Sequence, residues 1–242
     1  MRGMGGPVFE MNRHLCVAFV ATAVLVPSAW CDRHETTVKF HLVDGYHFSN
    51  AERDAIQTVA DATAVEVRHY LPTLPHDLVL NVQAGKQVIA ETGETGYAAQ
   101  PNIIYWTVDP NRNGGVTAIT QAQLRASLFE FLHHLVRDRV VNSTSLMDHI
   151  VTDGMAIAFE RDFAGASPPW GAYPDNVMDW VNELMALPPA TELDHFQSDR
   201  RRWIGFKTGT YLVDRAMRAS GQSSAQLVSR STDDIVRMAL GR

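Results

Sequence analysis

The stretch Phe129-Glu130-Phe131-Leu132-His133-His134 is the part of the sequence that decides the fold. Leucines recur around it at helical spacing, which predicts one buried stripe, at positions 124, 128, 132 and 135. A threonine–glutamine capping pattern just before it predicts a helix from about Gln121 to Val141. On such a helix Phe129 and His133 share one face, and Glu130 projects beside them.

This order of residues has the pattern of the zinc-hydrolase motif H-E-x-x-H with its first histidine replaced. In the intact motif two histidines four residues apart bind zinc, and the glutamate acts as general base on the metal-bound water. Phe129 has no lone pair to offer a metal, so the chain keeps only the second ligand, His133, and the base, Glu130. Asp153, on the next predicted helix, would supply a carboxylate if that helix returns antiparallel to the same pocket.

Two further interpretations of the histidines stay open. His149 lies one helical turn before Asp153, and it would be the recruited nitrogen ligand in a site that still binds zinc. Alternatively, His133 and His134 are ordinary helix histidines, one of them buried and the other exposed.

Length and composition favour a globular protein with an acidic balance. The 242 residues suffice for one large or two small domains, and a hydrophobic content of 45% suffices for a core. The formal charge of −6 is opposite in sign to that of a typical nucleic-acid binder, and the largest basic cluster is Arg200-Arg201-Arg202. We therefore expect no nucleic-acid partner, and we expect a peptide or a protein as substrate or ligand.

Residues 1–31 have the composition of a signal peptide. Two arginines accompany an apolar run from Leu15 to Val26, which is shorter than the roughly 20 residues that span a bilayer. We predict an exported protein, periplasmic or secreted, with an uncleaved N-terminal membrane anchor as the alternative. Both cysteines, Cys16 and Cys31, lie in this segment, so a domain at 32–242 would have no internal disulfide.

Strand patterns come first and helical patterns follow, which predicts an α+β fold. A capping box at Ser49 and Glu52 predicts one helix in the N-terminal third, and a glycine-punctuated loop is predicted at Glu91–Gly96. A small mixed sheet is predicted from the apolar runs at 37–43, 77–82 and 103–108. The remainder is predicted to be mainly helical, in segments at about 121–141, 145–163, 174–188, 205–220 and 225–240.

Four short sequence motifs follow one another along the chain: FEFLHHLVR at 129–137, DGMA at 153–156, PW at 169–170 and GFKTGT at 205–210. Their order and spacing resemble the domain-of-unknown-function 2268 family of predicted zinc-dependent peptidases, relatives of the gluzincins. In that family an H-E-x-x-H-H-x-x-R helix precedes an E-G-x-A helix, a P-W segment and a G-Y-x-x-G-Y helix. The resemblance covers about residues 90–240, and it implies a zincin-like helical part within a single metallopeptidase-like domain at 32–242.

The resemblance also implies a role for individual residues. Carried over position by position, Glu130 is the general base, His133 is the second zinc ligand, and Asp153 replaces the glutamate that is the third ligand. Phe206 and Thr210 stand where the family has tyrosines that can stabilise an oxyanion. Two protein ligands hold zinc weakly, and without the metal the glutamate has no acidified water to deprotonate.

Three functions follow as hypotheses. The first is an exported gluzincin-like homologue with a degraded metal site, a weak or inactive pseudoenzyme that binds peptides or a protein. The second is an active zinc-dependent peptidase that uses His133, Asp153 and a recruited ligand such as His149. The third is a structural interaction protein of the envelope in which the cleft is filled. Zinc is the implied cofactor, and only the second hypothesis requires it.

Overall fold

A four-stranded mixed sheet forms the first part of the fold in the computed structural model, which describes residues 35–42, 45–191 and 201–242. Its strands are β1 (Thr36–His41), β2 (Leu78–Ala84), β3 (Glu94–Ala99) and β4 (Ile103–Val108). They are ordered β1-β2-β4-β3; β1, β2 and β4 run parallel, whereas β3 runs antiparallel to β4. The predicted mixed sheet is confirmed, and β3 is one of its two edges.

Helix α1 (Asn50–Tyr70) connects β1 to β2, as a parallel pair of strands requires. Its predicted capping box is present: the backbone N–H of Glu52 donates to the Ser49 hydroxyl, and the backbone N–H of Ser49 donates to the Glu52 carboxylate. Its buried residues recur at helical spacing and share one apolar core with the sheet, a core that includes Ile56, Ala60, Ala64, Val67, Leu80, Val82, Ile104 and Trp106.

The loop predicted at Glu91–Gly96 is correct only for residues 91–93, because a strand begins at Glu94. A Cβ atom on Gly96 would lie 2.5 Å from the carbonyl oxygen of Tyr105 and 2.8 Å from the ring of Phe131. Glycine is therefore needed here because the strand packs closely against its neighbours. The sequence pattern alone does not separate this reason from a turn.

Helices make up most of the remaining described chain, which confirms the α+β class with a mainly helical C-terminal part. The helices are α2 (Gly115–Ile119), α3 (Arg125–Arg137), α4 (Leu146–Phe159), α5 (Val177–Met185), α6 (Ile204–Ser220), α7 (Ser224–Leu227) and α8 (Thr232–Leu240). One π-helical segment, Thr120–Leu124, joins α2 to α3, and another, Glu160–Ala164, continues α4. Within the described residues, no helix combines the length and the apolar character that crossing a membrane requires.

Two predicted helix boundaries are wrong. Helical structure starts at Gly115 after the left-handed Gly114, so Thr120 is an interior residue, 1% exposed, and caps nothing. The predicted helix at 225–240 is broken between α7 and α8. Between these two helices, the Arg137 guanidinium donates hydrogen bonds to the backbone oxygens of Val228 at 2.9 Å and Arg230 at 3.0 Å.

The predicted signal peptide lies outside the described residues. The structure describes residues that belong to the compact unit His34–Arg242. The targeting role of 1–31 and the domain boundary at 32 both stay predictions.

Helices α4 and α6 meet backbone to backbone at Gly154 and Gly209. A Cβ atom on Gly154 would lie 2.0 Å from the carbonyl carbon of Gly209, and one on Gly209 would lie 1.9 Å from the carbonyl oxygen of Ile150. Because backbone atoms occupy this space, no side-chain rotation would relieve the overlap. Only separation of the two helices would admit a side chain.

Replacing Gly154 by alanine is expected to lower the free energy of unfolding by about 3 kcal/mol, because the added methyl group must push two helix backbones apart. Urea unfolding followed by circular dichroism measures this loss. Ala219→Gly, at the exposed end of α6, is the control, since it changes helix propensity alone and is expected to cost about 1 kcal/mol at most. Equal, small losses in the two variants would contradict the close helix contact.

Candidate functional site

One face of helix α3 belongs to the protein core. Phe129, His133 and Arg137 follow one another at intervals of one helical turn, and each is 0% exposed. The rings of Phe129 and His133 pack against Phe159 of α4, with centroid distances of 5.5 and 5.2 Å. The helix face that the motif assigns to the metal is therefore filled with aromatic rings.

His133 is a neutral core residue in this arrangement. Burial, with the neighbouring charges of His134 and Arg137, lowers the pKa of His133 well below its usual value. Its side chain is not among those that line the cavity beside Glu130 and Asp153. The structure therefore does not bring the predicted second zinc ligand together with the other two predicted site residues.

The adjacent face of α3 carries Glu130 and His134, again one turn apart. His134 Nε2 lies 3.8 Å from Asp153 Oδ1 on α4, which is longer than a hydrogen bond. Burial, with the charges of Arg137 and His149, lowers the pKa of His134 to about 4. Burial, with a smaller effect of Asp138, raises the pKa of Asp153 to about 7. Near neutral pH this contact therefore joins a neutral imidazole to a partly protonated carboxyl group.

Four carboxyl groups of the described residues interact around Glu130. Burial is the main reason that the pKa of Glu130 is raised well above its usual value, and the charges of Glu160, Asp153 and Glu94 add to it. Burial, with the charge of Glu94, raises the pKa of Glu160 to about 8. Burial also raises the pKa of Glu94. Because like charges in a shared buried site cannot all ionise, this carboxyl cluster retains protons at neutral pH.

Glu94 and Glu160 differ in how their oxygens are satisfied. The indole Nε1 of Trp106 donates to Glu94 Oε2 at 2.7 Å. Glu160 is 4% exposed, and its Oε2 has no hydrogen-bond partner in the part of the chain that the structure describes. Neither residue was predicted from the sequence. Glu160 follows Asp153 by two helical turns and so was detectable as a same-face neighbour, whereas Glu94 lay in a segment predicted to be a loop.

Glu94, Glu130 and Asp153 line a cavity of about 540 Å³. The edge strand β3 contributes Thr95 and Gly96 to its wall. The volume is within the range of small-molecule and peptide-side-chain sites. The apolar part of the lining is formed by Ile89, Phe131, Trp170, Trp203, Ile204 and Phe206.

Trp203 is held in the cavity wall by a rare backbone conformation. Its φ of 68° places it in the left-handed region at the start of α6, which is costly for a bulky residue. The indole contacts Trp170 and Phe206, with ring centroids 5.2 and 5.6 Å away. The guanidinium of Arg202 lies 4.7 Å above the ring and also pairs with Glu91. Strain of this kind is typical of functional sites.

The recruited ligand His149 does not reach the cavity. It lies on the exposed side of α4 and is absent from the cavity lining, although its charge acts on His134 and Asp138. Phe206 and Thr210, which stand where the family has tyrosines, offer the cavity no hydroxyl group. Phe206 has no hydroxyl, and the buried Thr210 donates its hydroxyl to the backbone oxygen of Phe206 at 2.9 Å.

The residues of this cavity do not fit a zinc site. In the described ranges, no three His, Cys, Asp or Glu side chains are placed so that they could hold a metal ion. A catalytic zinc needs three protein ligands at about 2.0–2.3 Å. The first two ligand positions of the motif, Phe129 and His133, are both packed in the core. This geometry offers Glu130 no metal-acidified water.

The substitution Phe129→His restores the sequence H-E-x-x-H. We expect it not to restore zinc binding, because position 129 faces Phe159 and not the cavity. Elemental analysis should find no more zinc than in the wild-type protein. The free energy of unfolding should fall by about 2–4 kcal/mol, since a core phenyl ring is replaced by a smaller polar ring. Phe129→Leu is the control and should cost about 1 kcal/mol. Stoichiometric zinc in the histidine variant would contradict the placement of this residue.

Stability is expected to fall as pH rises from about 6.5 to 8.5. A carboxyl group with a pKa raised by folding stabilises the fold at low pH, and this contribution is lost as pH rises through the folded-state value, about 7 for Asp153 and about 8 for Glu160. His133 and His134, with lowered pKa values, oppose the trend only near the lower limit, because unfolded histidines lose their remaining protons just above pH 6.5.

Thermal unfolding at the two ends of this pH range measures the effect. The wild-type Tm should drop by several degrees, since about 1 kcal/mol corresponds to roughly 2–4 °C in a domain of this size. Glu160→Gln should reduce the drop by about half because it removes one titrating group of the cluster. Asp54→Asn, on the exposed surface of α1, should leave it unchanged. An undiminished drop in the Glu160 variant would show that this residue does not contribute.

Comparison with known proteins places the chain in a family. The profile of the family described as Predicted Zn-dependent protease (DUF2268) matches residues 48–237. No match was found among curated proteins or among solved structures. The matched range includes the sheet strands from β2 onward, helix α3, the Gly154–Gly209 contact and every residue of the cavity. The chain therefore belongs to this family of predicted zinc-dependent proteases, as the order of its motif segments implied.

Proposed function

We propose that this chain is an exported metallopeptidase homologue that has lost its zinc site and retains a cleft for an extended peptide or a segment of a protein partner. The family name indicates a zinc-dependent protease-like domain. One observation carries the proposal: the ligand positions Phe129 and His133 are packed in the core, whereas Glu130 still lines a cavity. Catalysis is weak or absent because the glutamate has no metal-bound water on which to act.

The cavity wall has the features of a peptide site. Strand β3 is an edge of the sheet, and an edge strand presents backbone groups with which an extended peptide can pair. Thr95 and Gly96 of this strand line the cavity, so its backbone lies where a bound peptide could pair with it. The opposite walls are aromatic, and aromatic side chains contribute much of the binding energy at protein interfaces.

The two competing hypotheses receive less support. An active peptidase that uses His133, Asp153 and His149 would need two histidines that both lie outside the cavity. A structural envelope protein with a filled cleft would need the space beside Glu130 to be occupied by the chain itself, and a cavity of about 540 Å³ lies there.

Export is part of the proposal. The targeting pattern of residues 1–31 supports a periplasmic or secreted protein, with an uncleaved N-terminal anchor as the alternative. The acidic balance of the chain, a formal charge of −6, is consistent with a peptide or protein partner and not with nucleic acid.

A panel of end-blocked peptides about ten residues long tests the function. We expect some of them to change the tryptophan fluorescence of the protein on binding, and we expect no cleavage even when zinc is supplied. Trp203→Ala should weaken binding about tenfold or more, because it removes an aromatic wall. Trp180→Ala is the matched control, since Trp180 lies outside the cavity lining.

The possible outcomes separate the hypotheses. Cleavage with stoichiometric zinc would support the active peptidase and contradict the proposal. Failure of the whole panel to bind would favour the structural protein. Equal weakening by Trp203→Ala and Trp180→Ala would show that peptides bind elsewhere on the surface.

A further inference from the structure

The cavity carries acidic groups that have no matching cation. Glu94, Glu130 and Asp153 line it, and in the described ranges none of them forms an ion pair with lysine or arginine. Arg202 also lines the cavity, but its guanidinium pairs with Glu91. Because an opposite charge favours the ionised form of a carboxyl group, an incoming positive group would displace the retained protons and pair with these side chains.

Glu160 adds a buried acidic group behind those that line the cavity. The residue is 4% exposed, and its Oε2 has no hydrogen-bond partner in the described structure. The same carboxyl group interacts electrostatically with Glu130 and Glu94, so it belongs to the carboxyl cluster at the cavity. A buried acceptor without a donor costs free energy, and proteins rarely retain one without a reason.

The walls of the cavity suit an organic cation. Trp170, Trp203 and Phe206 form a series of ring contacts along one side of the lining, and Phe131 belongs to the lining as well. The faces of aromatic rings attract ammonium and guanidinium groups, and tryptophan does so most strongly. The acidic groups and the aromatic rings of this lining both favour a positively charged ligand.

A bare metal ion is a poorer fit than an organic cation. Among the described residues, no three potential ligands are placed to hold a metal ion, whereas even calcium takes six to eight oxygen ligands at about 2.3–2.6 Å. An ammonium or guanidinium group instead donates several hydrogen bonds to carboxyl groups, and its carbon stem contacts apolar walls. The acidic and aromatic lining of the cavity therefore suits a cation with a carbon stem better than a metal ion.

We infer that the acidic end of the cavity binds one ammonium or guanidinium group, supplied by a basic side chain or by the amino terminus of the bound peptide. This inference rests on the proposed peptide-binding function and adds the charge that the cleft selects. Glu130 and Asp153 are the residues expected to face the cation, with Glu94 and Glu160 of the carboxyl cluster beside them.

Three peptides of one sequence test the inference and identify the source of the charge. The first is N-acetylated with a central lysine, the second is N-acetylated with norleucine in that place, and the third has norleucine and a free amino terminus. We expect the first or the third to bind at least about tenfold more tightly than the second, as charge-assisted hydrogen bonds allow. The preference should shrink as salt is added.

Two variants assign the preference to the cavity. Glu130→Gln and Asp153→Asn keep the shape of the side chains and remove buried acidic groups, so both variants should fold. Each should reduce the ratio of the two affinities, charged peptide over blocked norleucine peptide, to less than about threefold. The control Asp54→Asn, far from the cavity lining, should retain the full preference.

The results that overturn the inference differ from those that overturn the proposed function. Equal affinity for all three peptides would refute charge selection and leave peptide binding in place. If no peptide binds, titration with butylamine decides: a fluorescence change that Glu130→Gln abolishes would support the cation site without the peptide function, and no change would refute both. Zinc or calcium that binds stoichiometrically and displaces the lysine peptide would replace the inference by a metal site.

Discussion

The contact between the backbones of Gly154 and Gly209 is the constraint on which the rest of the structure depends. Asp153 directly precedes one glycine, and Phe206 lies in the helical turn before the other, so this contact fixes how far an acidic group of the cavity stands from its aromatic wall. Because Gly154 and Gly209 have no side chains, their close contact sets the width of the cleft. Both glycines belong to the segments that resemble the family pattern, DGMA at 153–156 and GFKTGT at 205–210.

Rotation about the axis of α3 decides what each residue of the motif can do. Successive residues differ by about 100°, so Phe129 and His133 occupy the face that packs on Phe159, while Glu130 and His134 occupy the next one. A phenyl ring on the first face extends the aromatic core and stabilises the helix pair. A phenylalanine at position 129 is therefore compatible with the fold, and it leaves the carboxyl group on the neighbouring face in the cavity lining.

Local signals in the sequence were sufficient for much of the fold. The capping box at Ser49 satisfies backbone groups within one helical turn, so it was predictable from four residues, as was the strand Ile103–Val108 from its β-branched and aromatic composition. The strand that contains Gly96 was not predictable, because its glycine is required by the ring of Phe131, which is distant in the sequence. Glu94 was missed for the same reason, since it joins the carboxyl cluster only after the sheet packs against the helices, whereas the spacing of Glu160 from Asp153 was visible in the sequence.

A group of buried carboxyls without cations reduces the stability of the fold, and this cost is itself informative. Apolar residues of similar size at Glu130, Asp153 and Glu160 would avoid the desolvation of acidic groups. Position 129, on the adjacent face of α3, carries a core phenylalanine where the family pattern has a histidine. The acidic groups on the neighbouring face have not been replaced, although they share the same helices. On α3, the face that carries Phe129 is part of the apolar core, whereas the adjacent face carries the acidic Glu130. The acidic face is the one that lines the cavity. Structural demands alone would favour apolar residues on both, so the difference points to a ligand that still needs the acids.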